Sequence, residues 1–325
     1  MEIIPIIKLR SSEVSLAHLF ISHEINEIMK NKIYEWPRAL FSAHLHHFLP
    51  HIPWGQHENI YELFEEYHKP KMQRLIQIEN NTSREFILNI EPNIFCLYHL
   101  GLHYETVLSL GEMGINFDLL LDRDVYEQNN KIFLNIHSNL KKNGLEYKFL
   151  FSDDPTVLLK IRTTLKEARH LLVFVDGNSG ASENANHLVK VDFLNGSLNV
   201  RQGITMISHL LGVCMLPLII ENKDDKFIII LGDVINPKHW ENRSNYIKEG
   251  TQLLYDYLAS QIKSEPWKWE CWRYIHENGS FNPGKANLKD KRIPIRFEEE
   301  NEAIVPVILQ NRRVNFNRAN YMLFL

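Results

Sequence analysis

The chain has 325 residues, of which 44% are hydrophobic and 23% charged, with a net charge of −4 at pH 7. That much apolar material builds a sizeable core in one large domain, or in one domain with appendages. The slight acidity and the lack of any long Lys/Arg block exclude nucleic acid as the main partner, because phosphate binding leaves a basic stripe. Cys96, Cys214 and Cys271 are widely separated and form no CxxC. They indicate neither a disulfide framework nor a thiolate zinc site, and they fit a reducing cytoplasm. The opening MEIIPIIKLRSSEV has Glu2 and Pro5 where a signal peptide would have a basic start and an apolar core. No segment supplies about 18 uninterrupted apolar residues, so no transmembrane span is expected and peripheral contact at the inner face of a membrane is the most the chain would make.

From about Ser12 to Leu88 the pattern is helical, with apolar residues three and four apart in AHLFISHEINEIM and ENIYELFEEYHKPKMQRLIQI, separated by HFLPHIPWG. Residues 1–88 are read as an N-terminal helical region. Pro92 and Asn93 then punctuate the chain, and Ile94 to Tyr98 form a short apolar run suited to a buried strand. Helix-like and strand-like segments alternate after it: helix ETVLSLGEMG, strand INFDLLL, helix NKIFLNIHSNLKKNG, strand EYKFLFS, helix PTVLLKIRTTLKEAR and strand HLLVFVD. A Gly/Asn/Ser loop leads to VKVDFL, a helix from Gln202 to Leu211, and the strands VCMLPLII and KFIIILGDV. The last long helix lies in SNYIKEGTQLLYDYLASQIK, and an aromatic turn follows it.

This alternation predicts an α/β fold over 89–278, with a central, mostly parallel sheet flanked by helices and ligands at the carboxyl ends of the strands. Residues 279–325 form a charged, Asn-rich tail in which IPIRFEE and AIVPVIL read as a hairpin.

The stretch YHLGLHYE, Tyr98 to Glu105, stands where the first strand ends and a helix begins. His99 at a strand end, with a carboxylate a few residues on, is the arrangement of a general base and its partner: the imidazole takes a proton and the acid fixes its tautomer. The alternative for the same residues is a histidine capping a turn and a first-turn glutamate. His99, His103 and Glu105 also have the types of a metal site, but Gly101 interrupts a shared helix face and no third ligand motif completes it, so no metal is expected. The four histidines of AHLHHFLPH, namely His44, His46, His47 and His51, read as a solvated helix face or as lining for an entrance.

Asp176, Gly177 and Asn178 follow a strand, in a loop able to present backbone N–H groups to an anion or oxyanion. Arg201 and Gln202 precede the helix that Gly203 opens, a second place for an anionic group. There is no P-loop, GxGxxG or GxSxG, which excludes simple nucleotide-binding and α/β-hydrolase readings.

Taken in order, these blocks resemble the lysophospholipid acyltransferase superfamily, and within it the secondary acyltransferases of lipid A biosynthesis. His99-Leu100-Gly101 match the first half of that family's HxxxxE/D motif. Val191, Phe193 and Leu194, with Gly203 after them, follow its VxFFGxxxxxxxG spacing. Gly212 to Pro217 match GxPVVP, and Pro266 to Arg273 match its proline- and tryptophan-rich segment.

The resemblance covers roughly residues 60 to 276. It implies His99 as general base, an acyl thioester on acyl carrier protein or coenzyme A as donor, and no metal or redox cofactor. Counted from His99, the family's acidic position falls on Tyr104, and Glu105 comes one residue later, so either residue is the partner it implies. His103 is expected to line the turn or pocket. The N-terminal anchor usual in the lipid A enzymes is not expected here, and this reading favours a soluble or carrier-bound metabolite, through a hydroxyl or amine, as acceptor. A peripheral enzyme acting on lipid A-like or lysophospholipid substrates, and a degenerate relative that binds an acyl chain or carrier protein without turnover, are the alternatives.

Overall fold

The structure is a computed structural model. It describes residues 37–69, 82–101, 103–142, 144–177, 188–223, 226–273, 275, 296–300 and 303–307, and of Tyr104 and a few other positions only the backbone. The expected helices ahead of residue 37 and the stretch 70–81 lie outside the described residues, as does Asn178. The chain falls into two compact units, one of residues 44–291 and another made of 1–43 with 292–325. In the smaller unit, Arg296–Glu300 and Ala303–Val307 form an antiparallel pair with Val305 opposite Glu298. Residues 37–48 are helical and are called α1.

The larger unit is α/β. Its strands in chain order are β1 (Ile94–Leu97), β2 (Phe117–Leu121), β3 (Phe149–Phe151), β4 (His170–Phe174), the hairpin β5 (Leu188–Phe193) and β6 (Gly196–Arg201), β7 (Met215–Lys223) and β8 (Lys226–Leu231). Six of them make one sheet in the order β3-β2-β4-β1-β7-β8. Every neighbouring pair in it is parallel except β7 with β8. The helices are α2 (Trp54–Tyr67), α3 (Thr82–Asn89), α4 (His103–Glu112), α5 (Arg123–Gln128), α6 (Asn130–Lys142), α7 (Val157–Lys166), α8 (Gly203–Leu211) and α9 (Arg243–Ile262). None of the described helices is long and apolar enough to cross a membrane.

All four residues of β1 are buried, as the continuous run IFCL requires for a central strand covered on both faces. Phe95 and Leu97 join Val107 and Leu110 of α4, Phe133 and Ile136 of α6, Leu172 of β4 and Leu216 of β7 in one apolar cluster. Residues two apart share a strand face, so the alternate positions belong to the other side. There the Tyr98 hydroxyl donates to the Leu254 carbonyl of α9 at 2.8 Å.

The hairpin β5–β6 packs on α9 as well: the Gln252 side chain both accepts from the Asp192 N–H and donates to its carbonyl, each at 2.8 Å. β6 has the sequence GSLNVR, polar for a strand, and neither it nor its partner β5 was assigned as a strand from sequence patterning. At the far end of the sheet Arg169 grips Asp118 through two nitrogens, at 3.1 and 3.0 Å, with both residues buried.

Candidate active site

β1 and β4 lie side by side in parallel, with Leu97 opposite Phe174. Two residues beyond that pair stand His99 and Asp176, so the register of the sheet brings them level at the carboxyl edge, where α/β sites form. Asp176 is buried, and its Oδ1 takes the His99 Nδ1–H at 2.8 Å. Its Oδ2 takes the His99 backbone N–H at 2.9 Å and the Trp269 indole N–H at 2.8 Å. The Cys271 thiol donates weakly to the same carboxylate, at 3.7 Å.

A carboxylate has about four acceptor positions, and these donors fill them. The trio His99, Asp176 and Cys271 is close enough to suggest a metal site. Burial and the adjacent carboxylate push the Cys271 thiol far up, so it remains a protonated donor. A metal would have to displace those donors, and the trio reads instead as a proton-holding network.

With Nδ1 committed to Asp176, the proton of neutral His99 sits there and Nε2 is left as the acceptor. The side chain is 27% exposed, so the ring is reachable from outside while its partner is not. Burial pulls the His99 pKa down, but the charge and hydrogen bond of Asp176 outweigh it and the net direction is up. Burial alone would raise the Asp176 carboxyl; the His99 and Trp269 bonds overcome this and hold it below the ordinary carboxylate range.

Two backbone bonds keep His99 in place. The Glu270 N–H donates to the His99 carbonyl at 2.9 Å and the Gly101 N–H donates to the Lys268 carbonyl at 2.8 Å, forming a short bridge with Leu100 opposite Trp269. Gly101 has φ +61°, and a Cβ there would lie 2.6 Å from the Tyr67 hydroxyl, so the turn needs glycine for both conformation and space. The rings of Phe174 and His103 flank His99, with centroids at 4.8 and 5.3 Å. Gly177 lies against the His99 Cε1 edge. Burial and the nearby His99 drive the His103 pKa down to about 3, so His103 is a neutral wall of the site.

The expected site residues therefore separate. His99, His103 and Asp176 come together. Glu105 is in the first turn of α4 and does not hold the His99 ring; the nitrogen it was expected to orient belongs to Asp176. The side chain of Tyr104 and all of Asn178 lie outside the described residues. Arg201 ends β6 and Gly203 opens α8. Beside α8, Gln202, Met206, Asn242, Arg243 and Ser244 line an open surface pocket.

The histidines of AHLHHFLPH are not uniformly solvated. His44 is buried and its Nδ1 donates to the Trp272 carbonyl at 2.5 Å, while His46 stacks on Trp54 at 4.3 Å. Trp269, Glu270 and Cys271 were missed as site residues. Their signal was the run PWKWECWR after the last long helix, whose clustered aromatics point to a buried, well-anchored turn.

Comparison with models of known protein families finds no match for this sequence, and comparison with curated proteins finds none either. Among solved structures the chain is similar to the crystal structure of the 1-acyl-sn-glycerophosphate (LPA) acyltransferase PlsC from Thermotoga maritima. The two share 11% identity at a TM-score of 0.37, over 73% of this chain and 98% of that one.

Proposed function

We propose that the chain is an acyltransferase in which His99, oriented by Asp176, activates a hydroxyl or amine to attack an acyl thioester. The observation that carries this reading is the buried Asp176 carboxylate on His99 Nδ1 at 2.8 Å, which leaves Nε2 as a proton acceptor at the carboxyl edge of the sheet. The ordered resemblance of four sequence blocks to the lysophospholipid acyltransferase superfamily supports the same chemistry.

In the first step, Nε2 takes the proton of the acceptor's O–H or N–H while its oxygen or nitrogen bonds to the thioester carbonyl carbon. Asp176 steadies the imidazolium that forms, without itself taking the proton. In the second, the C–S bond breaks, the imidazolium returns its proton to the departing thiolate, and ester or amide and free thiol are released. The family resembled here carries its acid five residues after the histidine; in this reading the loop that follows β4 supplies it.

The donor in this reading is an acyl group on acyl carrier protein or coenzyme A. The acceptor is a soluble or carrier-bound metabolite in the cytoplasm, and no resident cofactor takes part. The test is incubation of the full chain with acyl thioesters of graded length on both carriers, followed by intact-mass analysis of candidate acceptors. Acyl-shifted products that form with wild-type protein and not with His99→Ala support the reading. Thioesters that stay intact across the panel overturn it.

A further inference from the structure

The mouth of the site holds a second carboxylate that the dyad does not use. Glu270 follows Trp269, and its backbone N–H is fixed on the His99 carbonyl at 2.9 Å. Its side chain is 32% exposed and reaches to 3.5 Å from His103 Nε2, longer than a good hydrogen bond. His103 in turn packs against the His99 ring, and the Glu270 charge is near enough to act on His99, favouring its protonated form. His68 is nearby on α2's end, its Nε2–H donated to the Trp267 carbonyl at 3.1 Å. Both His103 and His68 are kept neutral by burial, so neither offsets the charge of Glu270.

The cations on the same segment are engaged elsewhere. Lys268 holds Glu221 at 2.9 Å and Glu265 at 2.5 Å. Arg273 pairs with Glu65 and lies over the Phe64 ring. When His99 is in its neutral, base form, the described residues around it therefore leave the partly exposed Glu270 carboxylate without a cationic partner among Lys268, Arg273, His103 and His68.

We propose that Glu270 is the acceptor-binding carboxylate, and that it selects an acceptor carrying an ammonium group next to the attacking atom over one carrying a phosphate. An ammonium placed there gains a charge-assisted hydrogen bond, whereas a phosphate meets like charge. Glu270 is a specificity residue in this role, and the role rests on the acyl-transfer reading of the site only for the identity of the reaction, not for the binding.

The binding is tested on the full chain without any acyl donor, at pH 8 and low salt, by following the His99 and His103 ring resonances as ethanolamine, glycerol or glycerol 3-phosphate is added. Ethanolamine is expected to bind at least about tenfold tighter than the other two, the scale of one charge-assisted bond. Glu270→Gln, which keeps the side-chain volume and the backbone bond to His99, is expected to abolish that preference. Glu270→Asp should retain part of it.

Glycerol 3-phosphate binding as tightly as ethanolamine, no response to ethanolamine, or an unchanged preference in Glu270→Gln each overturns the proposal. Thioester consumption separates it from the activity. A chain that acylates phosphate-bearing acceptors keeps the acyl-transfer reading and loses this one, while ammonium binding without thioester consumption does the reverse.

Discussion

Asparagine at position 176 separates the role of the dyad's geometry from that of its charge. The aspartate offers acceptor oxygens on both sides, Oδ1 to the His99 ring and Oδ2 to the His99 backbone and the Trp269 indole. An asparagine has one oxygen and one NH2. If the oxygen replaces Oδ1, the NH2 faces the Trp269 indole N–H, which is left without an acceptor at a cost of about 1–3 kcal/mol, and the His99 N–H keeps only its longer 3.2 Å contact. If it replaces Oδ2, those two bonds survive and the NH2 faces His99 Nδ1. That second orientation is favoured, and it forces Nδ1 to accept and moves the proton of neutral His99 to Nε2.

The base is then blocked although the fold keeps its hydrogen bonds. Losing the charge from those bonds costs roughly 1–2 kcal/mol of stability, while a reversed tautomer costs about 10⁴ in rate. The assay is kcat/KM for acyl transfer alongside thermal unfolding, with imidazole nitrogen shifts reporting which nitrogen carries the proton. A folded variant with Nε2 protonated and a rate within about tenfold of wild type would refute the reasoning.

Further outcomes follow from the same geometry. Because Asp176 holds the His99 pKa above its ordinary value, activity should rise with pH through a midpoint above 6.5, and in the same experiment the His103 ring should not titrate between about pH 5 and 8. A raised folded-state pKa means that His99's contribution to stability is full below its unfolded value and is lost as pH rises through the folded one, so stability and activity move in opposite directions across that window, which pH-dependent unfolding would detect. Glu105→Gln should change kcat/KM by less than about threefold, because Asp176 and not Glu105 orients the base; a loss near that expected for a missing partner would return the glutamate to the site. Gly101→Ala meets both a left-handed backbone and the Tyr67 hydroxyl, and about 2–4 kcal/mol of destabilisation is expected in denaturant unfolding, of which Tyr67→Phe in the double variant recovers only the steric share.

The sheet was legible because its strands are short apolar runs punctuated by Pro92, Gly114, Gly144 and Gly212, and its helices carry the three-and-four spacing between them. Three of those glycines, at 114, 144 and 212, adopt positive φ in the fold. β6 escaped because Gly196, Ser197 and Asn199 are poor strand formers; what makes it a strand is pairing with β5 and burial of Leu198 and Val200. His99 was legible from its place just after a buried strand, and Asp176 was singled out for the same reason, as part of a loop able to hold an anion or oxyanion.

What the pattern of residues could not supply was their pairing. Sequence proximity favoured Glu105, whereas the adjacency of β1 and β4 is a property of strand order, set by packing among segments far apart in the chain. Trp269, Glu270 and Cys271 arrive from farther still, and only the closed fold lays them on His99 and Asp176.

The central claim is that His99 is the base of an acyl transfer. It is tested most directly by acceptor-dependent release of free thiol from an acyl thioester, compared between the wild-type chain and a folded His99→Ala variant. Thiol release by the wild type and a fall of at least about 10² in the variant, the scale of a lost general base, are expected. Equal release by the two proteins would contradict it.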